Sequence, residues 1–151
     1  RKEGKVDIAP LRSSQQQLMK SAREYEQAHT QASSGSLFAQ SAAQLQRLNK
    51  ILYQSERALL SPEGLPGRPW FQHQLYAPGL YTGYGVKTIP YVREAIEQRQ
   101  WEEAAKGVEV VRRRLQGLAE QIDSATRLIK SPPSRPQGRA KTDAPAGKSV
   151  K

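Results

Sequence analysis

The sequence lacks cysteine altogether and contains one methionine, two histidines and no long apolar run. The absence of cysteine excludes a disulfide scaffold, a thiolate metal site and a cysteine nucleophile. A bilayer-spanning helix needs about 20 consecutive apolar residues, so no segment is predicted to cross a membrane. The histidines, His29 and His73, stand in separate segments and outside any His-Glu-x-x-His motif. This argues against a metal site, and no cofactor is expected in this chain.

Patterns for catalysis and nucleotide binding are missing as well. Residues 79–88 resemble a phosphate loop only faintly, because Val86 separates Gly85 from Lys87 and no buried strand precedes them. No serine has a local histidine partner suited to a catalytic triad. Glu102-Glu103 opens a predicted helix, where two acidic residues are ordinary. The sequence therefore predicts no catalysis by this chain alone.

Charge is unevenly distributed along the 151 residues, which carry 24 Lys and Arg against 14 Asp and Glu. Residues 131–151 hold five Lys or Arg and one Asp, a net charge of +4, and leave +6 of the total +10 on residues 1–130. Only Val150 in that segment is a large aliphatic residue. Burial cannot offset the ordering entropy of such a segment. We predict one domain over residues 1–130 and a disordered basic tail over residues 131–151.

Residues 131–151 are expected to be dispensable for folding. Limited trypsin digestion should cleave first at Arg135, Arg139, Lys141 and Lys148, which lie in a proline-rich context. Mass spectrometry of the early fragments measures this order of cleavage. Protection of these sites would mean that the tail docks, which would contradict the predicted boundary.

Hydrophobic periodicity predicts an all-α, up-down helical bundle. A first helix is expected from an Asp7 cap to about His29, with a break at residues 31–36. Ser36 is then expected to cap a second helix that pairs antiparallel with the first. The apolar stripe of this second helix is Phe38, Ala42, Leu45, Leu48, Ile51 and Leu52.

The longest periodic pattern lies near the carboxyl end, after a short helix predicted over residues 90–100 with Pro90 in its first turn. Its apolar positions alternate steps of three and four: Trp101, Ala104, Val108, Val111, Leu115, Leu118, Ile122, Ala125 and Ile129. Such a stripe is either the core of the bundle or the seam of a coiled coil. Gly107 and Gly117 interrupt this helix, which indicates either close helix packing or tolerated substitutions.

A long loop, residues 59–89, separates the second and third predicted helices. It holds four prolines, five glycines and half of the ten aromatic residues of the chain. A solvated linker would not carry so many aromatic rings, so the loop is predicted to be ordered. It is either an Ω-like loop that packs on its own rings or a functional element.

The motifs of this loop resemble those of a known family. They are Glu56-Arg57-Ala58, Leu65-Pro66-Gly67-Arg68-Pro69-Trp70-Phe71, Tyr76-Ala77-Pro78, and Gly83-Tyr84 before Ile89-Pro90. This ordered series resembles the transferrin receptor-like dimerisation domain, the C-terminal helical domain of the transferrin receptor and glutamate carboxypeptidase II family. The resemblance covers about residues 10–130. The residues of these motifs are more similar to those of bacterial members than to those of the human ones.

The resemblance implies an all-α domain of a zinc-dependent exopeptidase, cut from a longer polypeptide with peptidase and protease-associated domains. Zinc and its ligands belong to the missing peptidase domain. The helical domain of the family forms a homodimer, and its loop reaches the substrate pocket, where a Lys-Tyr pair binds a C-terminal glutamate. An extracytoplasmic location, periplasmic or secreted, is also implied.

Matched to the family motif, the tyrosine of that pair falls on Tyr84, while Gly83 occupies the lysine position. Lys87 is a candidate substitute for the missing ammonium group. Tyr84 is expected either to be presented outward between Gly83 and Gly85 or to pack within its own loop. Tyr91 stands where the family often has a glycine.

The alternative function is a free-standing basic module that binds nucleic acid or another polyanion. Arg112-Arg113-Arg114 is the densest basic run, but consecutive helical residues point in three directions. A solvated face is the preferred interpretation of this run. Upstream sequence with zinc-ligand residues would decide between the two functions.

Overall fold

The protein is described here by a computed structural model that covers residues 4–34 and 41–132. Within these ranges the chain forms four α-helices, a short 3₁₀ helix and one two-stranded sheet. The elements are α1 Ala9–Ser34, α2 Ala42–Gln54, the 3₁₀ helix Ser55–Leu59, β1 Tyr76–Pro78, β2 Val86–Thr88, α3 Pro90–Glu97 and α4 Trp101–Lys130. The predicted all-α class is confirmed. The predicted tail begins at the edge of the described residues, and residues 133–151 lie outside them.

Helix α4 is the central element, because α1, α2, α3 and the 3₁₀ helix all pack on it. Its stripe is core: Val108, Val111 and Leu115 are buried together with Leu59 and Val92. Trp101, Leu118 and Ile122 of the same stripe are half-buried. Burying one such aliphatic side chain contributes about 1.5–3 kcal/mol. The apolar stripe of α4 is therefore packed against other elements of the same chain and does not form the seam of a free coiled coil.

Helix α1 begins as expected but ends later than predicted. Asp7 Oδ1 accepts a hydrogen bond of 2.9 Å from the N–H of Ala9. The helix continues to Ser34 instead of stopping at about His29. The hydroxyl groups of Ser33 and Ser34 donate hydrogen bonds to the carbonyl oxygens four residues earlier in the helix. The serines therefore do not break the helix.

Helix α2 begins at Ala42, later than the sequence pattern suggested. Ser41 is its N-cap and forms a capping box with Gln44. The expected cap, Ser36, and the first residue of the predicted stripe, Phe38, lie outside the described residues. Within the described ranges, α1 and α2 both pack on α4, and Ala28 of α1 lies in one buried cluster with Leu48 of α2. The connection between α1 and α2 lies outside the described residues, and the antiparallel pairing of the two helices stays a prediction.

The two glycines of α4 have different surroundings. A Cβ on Gly107 would lie 3.0 Å from the Tyr91 ring, so this glycine permits the close approach of α3 to α4. No atom lies within 4 Å of a Cβ placed on Gly117. The packing explanation therefore holds for Gly107 alone. Tyr91, at the position where the family often has glycine, donates a hydrogen bond of 3.0 Å to Glu103.

The segment between α2 and α3 is folded back on itself by backbone hydrogen bonds. The N–H of Ser61 donates to the carbonyl of Gln72 at 2.9 Å, and that of Gln74 to Leu59 at 3.0 Å. Gly64 has a φ of +66°, and a Cβ there would lie 2.2 Å from the carbonyl oxygen of Pro69. Only glycine fits such a turn. The strands β1 and β2 were not predicted, because three residues each are too few to show an alternating pattern.

Candidate functional site: an exposed hairpin on a buried ion pair

Strands β1 and β2 form an antiparallel hairpin, residues 76–88, in which Ala77 pairs with Lys87. Its tip, residues 79–85, is closed by a 3.0 Å hydrogen bond from the N–H of Gly79 to the carbonyl of Gly85. Gly85 in turn donates to the carbonyl of Thr82 at 3.1 Å. Gly83 has a φ of +59°, the left-handed conformation that glycine adopts without steric cost. The glycines thus allow the chain to form a tight tip at the end of the two strands.

The aromatic side chains of the tip point into solvent. Tyr84 is 101% exposed and Tyr81 is 81% exposed. In the part of the chain that the structure describes, the Tyr84 hydroxyl has no hydrogen-bond partner. The N–H groups of residues 81–84 likewise donate to no protein acceptor there. Tyr84 is therefore presented outward with Gly83 beside it, and its ring does not pack within its own loop.

Lys87 occupies a different environment from the other two candidate residues. It is buried, at 8% exposure, on the face of the hairpin that packs on α3. Its ammonium group is bound to the carboxylate of Glu97. This hydrogen bond is the main reason why the pKa of Glu97 is lowered, and the charge of Arg93 adds to the effect. The charge of Lys87 is thus already partnered, while Gly83 and Tyr84 are free at the tip.

A buried ion pair fixes the hairpin to the body of the domain. Arg68 Nη2 lies 2.6 Å from Glu94 Oε2, and the two side chains are 7% and 10% exposed. Arg68 Nη1 donates a hydrogen bond to the carbonyl of Pro78, the last residue of β1. The second carboxylate oxygen accepts a 2.8 Å hydrogen bond from the N–H of Leu80, within the tip. Together the pair holds the strand end and the start of the tip.

The sequence did not single out Arg68 or Glu94. Arg68 stands in a proline- and glycine-rich turn, a place typical of an exposed arginine, and Glu94 lies 26 residues further on in α3. The only available signal was the position of Arg68 within the Leu65-Pro66-Gly67-Arg68-Pro69-Trp70-Phe71 motif. A buried pair of this kind is visible only after folding.

A second cluster holds the beginning of β1 against the 3₁₀ helix. The Tyr76 hydroxyl donates a 2.6 Å hydrogen bond to Glu56, which raises the pKa of Tyr76. The His73 ring lies 3.9 Å from the Tyr76 ring, and its Nδ1 accepts from the N–H groups of Leu75 and Tyr76. Burial lowers the pKa of His73, and the charge of Glu56 opposes this shift. The neutral imidazole serves here as an acceptor that orders the chain.

Metal-ligand clusters and membrane-spanning helices are both absent from the described residues. No group of three or more His, Asp or Glu side chains in residues 4–34 and 41–132 is arranged to hold a metal ion. Among the described helices, none combines the length and the apolar character needed to cross a bilayer.

Apolar side chains also remain exposed on the outer faces of the helices. Ile8 next to α1 and Met19 on it are 46% and 47% exposed. Tyr53 on α2 is 66% exposed, and Leu45 on the same helix is 36% exposed. Val108, Val111 and Leu115 of the α4 stripe are buried within the chain, whereas these exposed side chains of the outer faces are accessible to a second molecule.

The exposed aromatic hairpin and the exposed apolar side chains of the helices form surface suited to contacts with other proteins. Comparison with known families shows which kind of domain this is. The chain matches the transferrin receptor-like dimerisation domain over residues 6–123, and it belongs to that family.

Similar curated proteins carry related names. The chain is 33% identical over 89 residues to the probable glutamate carboxypeptidase LAMP1 of Arabidopsis thaliana, which is 59% of this chain and 13% of that protein. It is 46% identical over 50 residues to a probable glutamate carboxypeptidase of Arthroderma benhamiae, 33% of this chain and 7% of that protein. The probable glutamate carboxypeptidase VP8 of Zea mays is 41% identical over 51 residues, 34% of this chain and 7% of that protein. The chain thus spans only a small part of the length of these relatives.

Proposed function

We propose that the polypeptide carrying this dimerisation domain is a zinc-dependent, glutamate carboxypeptidase-like exopeptidase whose substrate pocket is completed by the hairpin tip. One observation carries the proposal: Tyr84 is fully exposed on a tip whose base is fixed by the buried Arg68–Glu94 pair. An exposed ring on a rigid base is the arrangement expected of a side chain that meets a ligand. A preorganised group loses little conformational freedom on binding.

The chemistry available at the tip suits the carboxyl terminus of a peptide. The Tyr84 phenol donates one hydrogen bond to a carboxylate oxygen. The free N–H groups of residues 81–84 are further donors at the same place. These groups bind and orient the substrate, whereas zinc and the general base are assigned to the peptidase domain. No cluster of zinc ligands exists among the described residues, so no step of the reaction is assigned to a metal in this chain.

A homodimer is the assembly that the family description implies, and the exposed apolar residues of α1 and α2 are consistent with it. Two-fold homodimers are the commonest oligomers, and they pair the same surface patch of both subunits. The remaining partners that we propose are the peptidase and protease-associated domains of the same polypeptide and the carboxyl terminus of a peptide substrate. We propose an extracytoplasmic location, as the family resemblance implies.

Sedimentation of the chain at micromolar concentration is expected to show a species near twice 16.9 kDa. The reason is that α1 and α2 leave apolar surface exposed, and burial of that surface favours association. Sedimentation equilibrium over a range of concentrations measures the dissociation constant. A species that stays at 16.9 kDa throughout would contradict autonomous dimerisation of this chain.

The structure weakens the alternative of polyanion binding, because the arginines of the densest basic run already have partners within the chain. Arg112 and Arg113 are bound to Glu109 at 2.7 and 2.6 Å, and these hydrogen bonds lower the pKa of Glu109 to about 2. Arg114 donates to the carbonyl of Leu60 at 3.1 Å. Each of the three arginines therefore has a hydrogen-bond partner within the chain, and consecutive helical residues point in different directions, so they form no single stripe toward a phosphate backbone.

A further inference from the structure

The hairpin tip carries no charged side chain. Residues 79–85 read Gly-Leu-Tyr-Thr-Gly-Tyr-Gly. Recognition of a glutamate side chain requires a partner for its carboxylate, and a buried carboxylate without a cation or several donors is costly. The tip by itself therefore provides no charged partner for such a side chain.

The cations of the hairpin and of the residues that support it already have carboxylate partners. Lys87 is bound to Glu97, and Arg93 lies 3.3 Å from the other oxygen of the same carboxylate. Arg68 is buried against Glu94. The two buried cations, Lys87 and Arg68, would each have to leave a carboxylate in order to meet a substrate. Lys87, Arg93 and Arg68 thus each have a carboxylate partner within the chain, and Lys87 and Arg93 share the carboxylate of Glu97.

The groups that remain at the tip are apolar or aromatic. Tyr84 and Tyr81 are 101% and 81% exposed, and Leu80 is 39% exposed. We infer that the pocket completed by this tip prefers peptides with an uncharged, apolar C-terminal residue over peptides that end in glutamate. This inference rests on the proposed function. The Tyr84 hydroxyl and the free N–H groups meet the α-carboxylate, which every C-terminal residue shares, so they do not favour glutamate.

The preference is tested with the full-length, zinc-loaded polypeptide and a series of acylated dipeptides. The peptides differ only in the last residue: Phe, Leu, Gln or Glu. Gln is the matched control because it has the shape of Glu without the charge. We expect kcat/KM for the Phe or Leu peptide to exceed that for the Glu peptide by about 10-fold or more, the smallest factor that a missing charged hydrogen bond implies. Calorimetry with the same peptides measures the preference in binding and does not depend on turnover.

Two variants at one position isolate the charge. Gly83→Lys places an ammonium group on the tip, and no atom lies within 4 Å of a Cβ at this position. Gly83→Ala shares the cost of a left-handed φ but adds no charge. We expect Gly83→Lys to raise the Glu-to-Gln ratio of kcat/KM about 10-fold above that of Gly83→Ala. Thr82→Lys with Thr82→Gln as its control is a second pair, at an exposed position outside the left-handed region.

The outcomes separate this inference from the function on which it rests. Tighter binding and faster cleavage of the Glu peptide by the unmodified polypeptide, with kinetics that respond to the tip variants, would overturn the inference and leave the pocket role intact. If kcat/KM and binding affinity were unchanged in every tip variant for all four peptides, the pocket role itself would be overturned. Preference for Phe or Leu, together with the charge-dependent gain at residue 83, supports both.

Discussion

Replacing Tyr84 by phenylalanine in the full-length polypeptide is expected to lower kcat/KM by about 10- to 150-fold while the melting temperature stays nearly unchanged. A hydrogen bond to a charged acceptor contributes about 1.5–3 kcal/mol, which corresponds to this factor. The ring is 101% exposed, and its hydroxyl has no partner in the described part of the chain, so its loss removes no internal contact. Steady-state kinetics and calorimetric melting measure the two quantities.

Tyr53→Phe is the matched control for this prediction. Tyr53 lies on α2, away from the hairpin in sequence, and is 66% exposed. Its hydroxyl accepts only a 3.3 Å hydrogen bond from Gln54. Both variants remove one phenolic oxygen, but only Tyr84 belongs to the tip. Equal kinetics for the two variants would contradict the role of Tyr84, and a large loss of stability in Tyr84→Phe would indicate a structural role.

Arg68→Met is expected to destabilise the chain by about 3–5 kcal/mol, because it leaves the Glu94 carboxylate buried without its cation. Glu94 is 7% exposed, and its remaining partner on the described chain is the N–H of Leu80. Stabilities of small domains are about 5–15 kcal/mol, so this loss is a large fraction of the whole. Urea denaturation should show a lower midpoint for the variant.

Two further variants identify the cause of this loss. The double variant Arg68→Met with Glu94→Gln removes both charges and is expected to be more stable than Arg68→Met alone. Lys20→Met breaks an exposed pair with Glu24, whose side chains are 70% and 47% exposed, and should cost no more than about 1 kcal/mol. If Arg68→Met were as mild as Lys20→Met, the pair would not anchor the hairpin.

The helical architecture followed from local patterns. The stripe of α4 repeats at helical spacing over residues 101–129, and the helix was found at Trp101–Lys130. Pro90 at the start of α3 was also correctly predicted, although the helix ends at Glu97, short of residue 100. Helix ends that contain serines were predicted less accurately. Ser33 and Ser34 continue α1 through hydrogen bonds to their own helix, which composition alone does not reveal.

The candidate site was only partly accessible from the sequence. Resemblance pointed to Gly83, Tyr84 and Lys87, and the structure places the first two at the tip and the third in a buried pair with Glu97. Lys87 lies three positions after Tyr84, and this spacing does not specify which way each side chain points. The direction follows from the antiparallel pairing of β2 with β1, which turns Lys87 toward α3.

The sequence by itself determined the helical class, the central apolar stripe and the uncharged composition of the hairpin tip, because each of these depends on residues that are neighbours in the chain. The tertiary structure decided that the stripe is covered by α1 and that the outer faces remain exposed. It also decided the pairing of Arg68 with Glu94, whose separation of 26 residues leaves no local pattern. Buried charges are stable only with a partner, and which partner is within reach depends on how the turn, the hairpin and α3 meet.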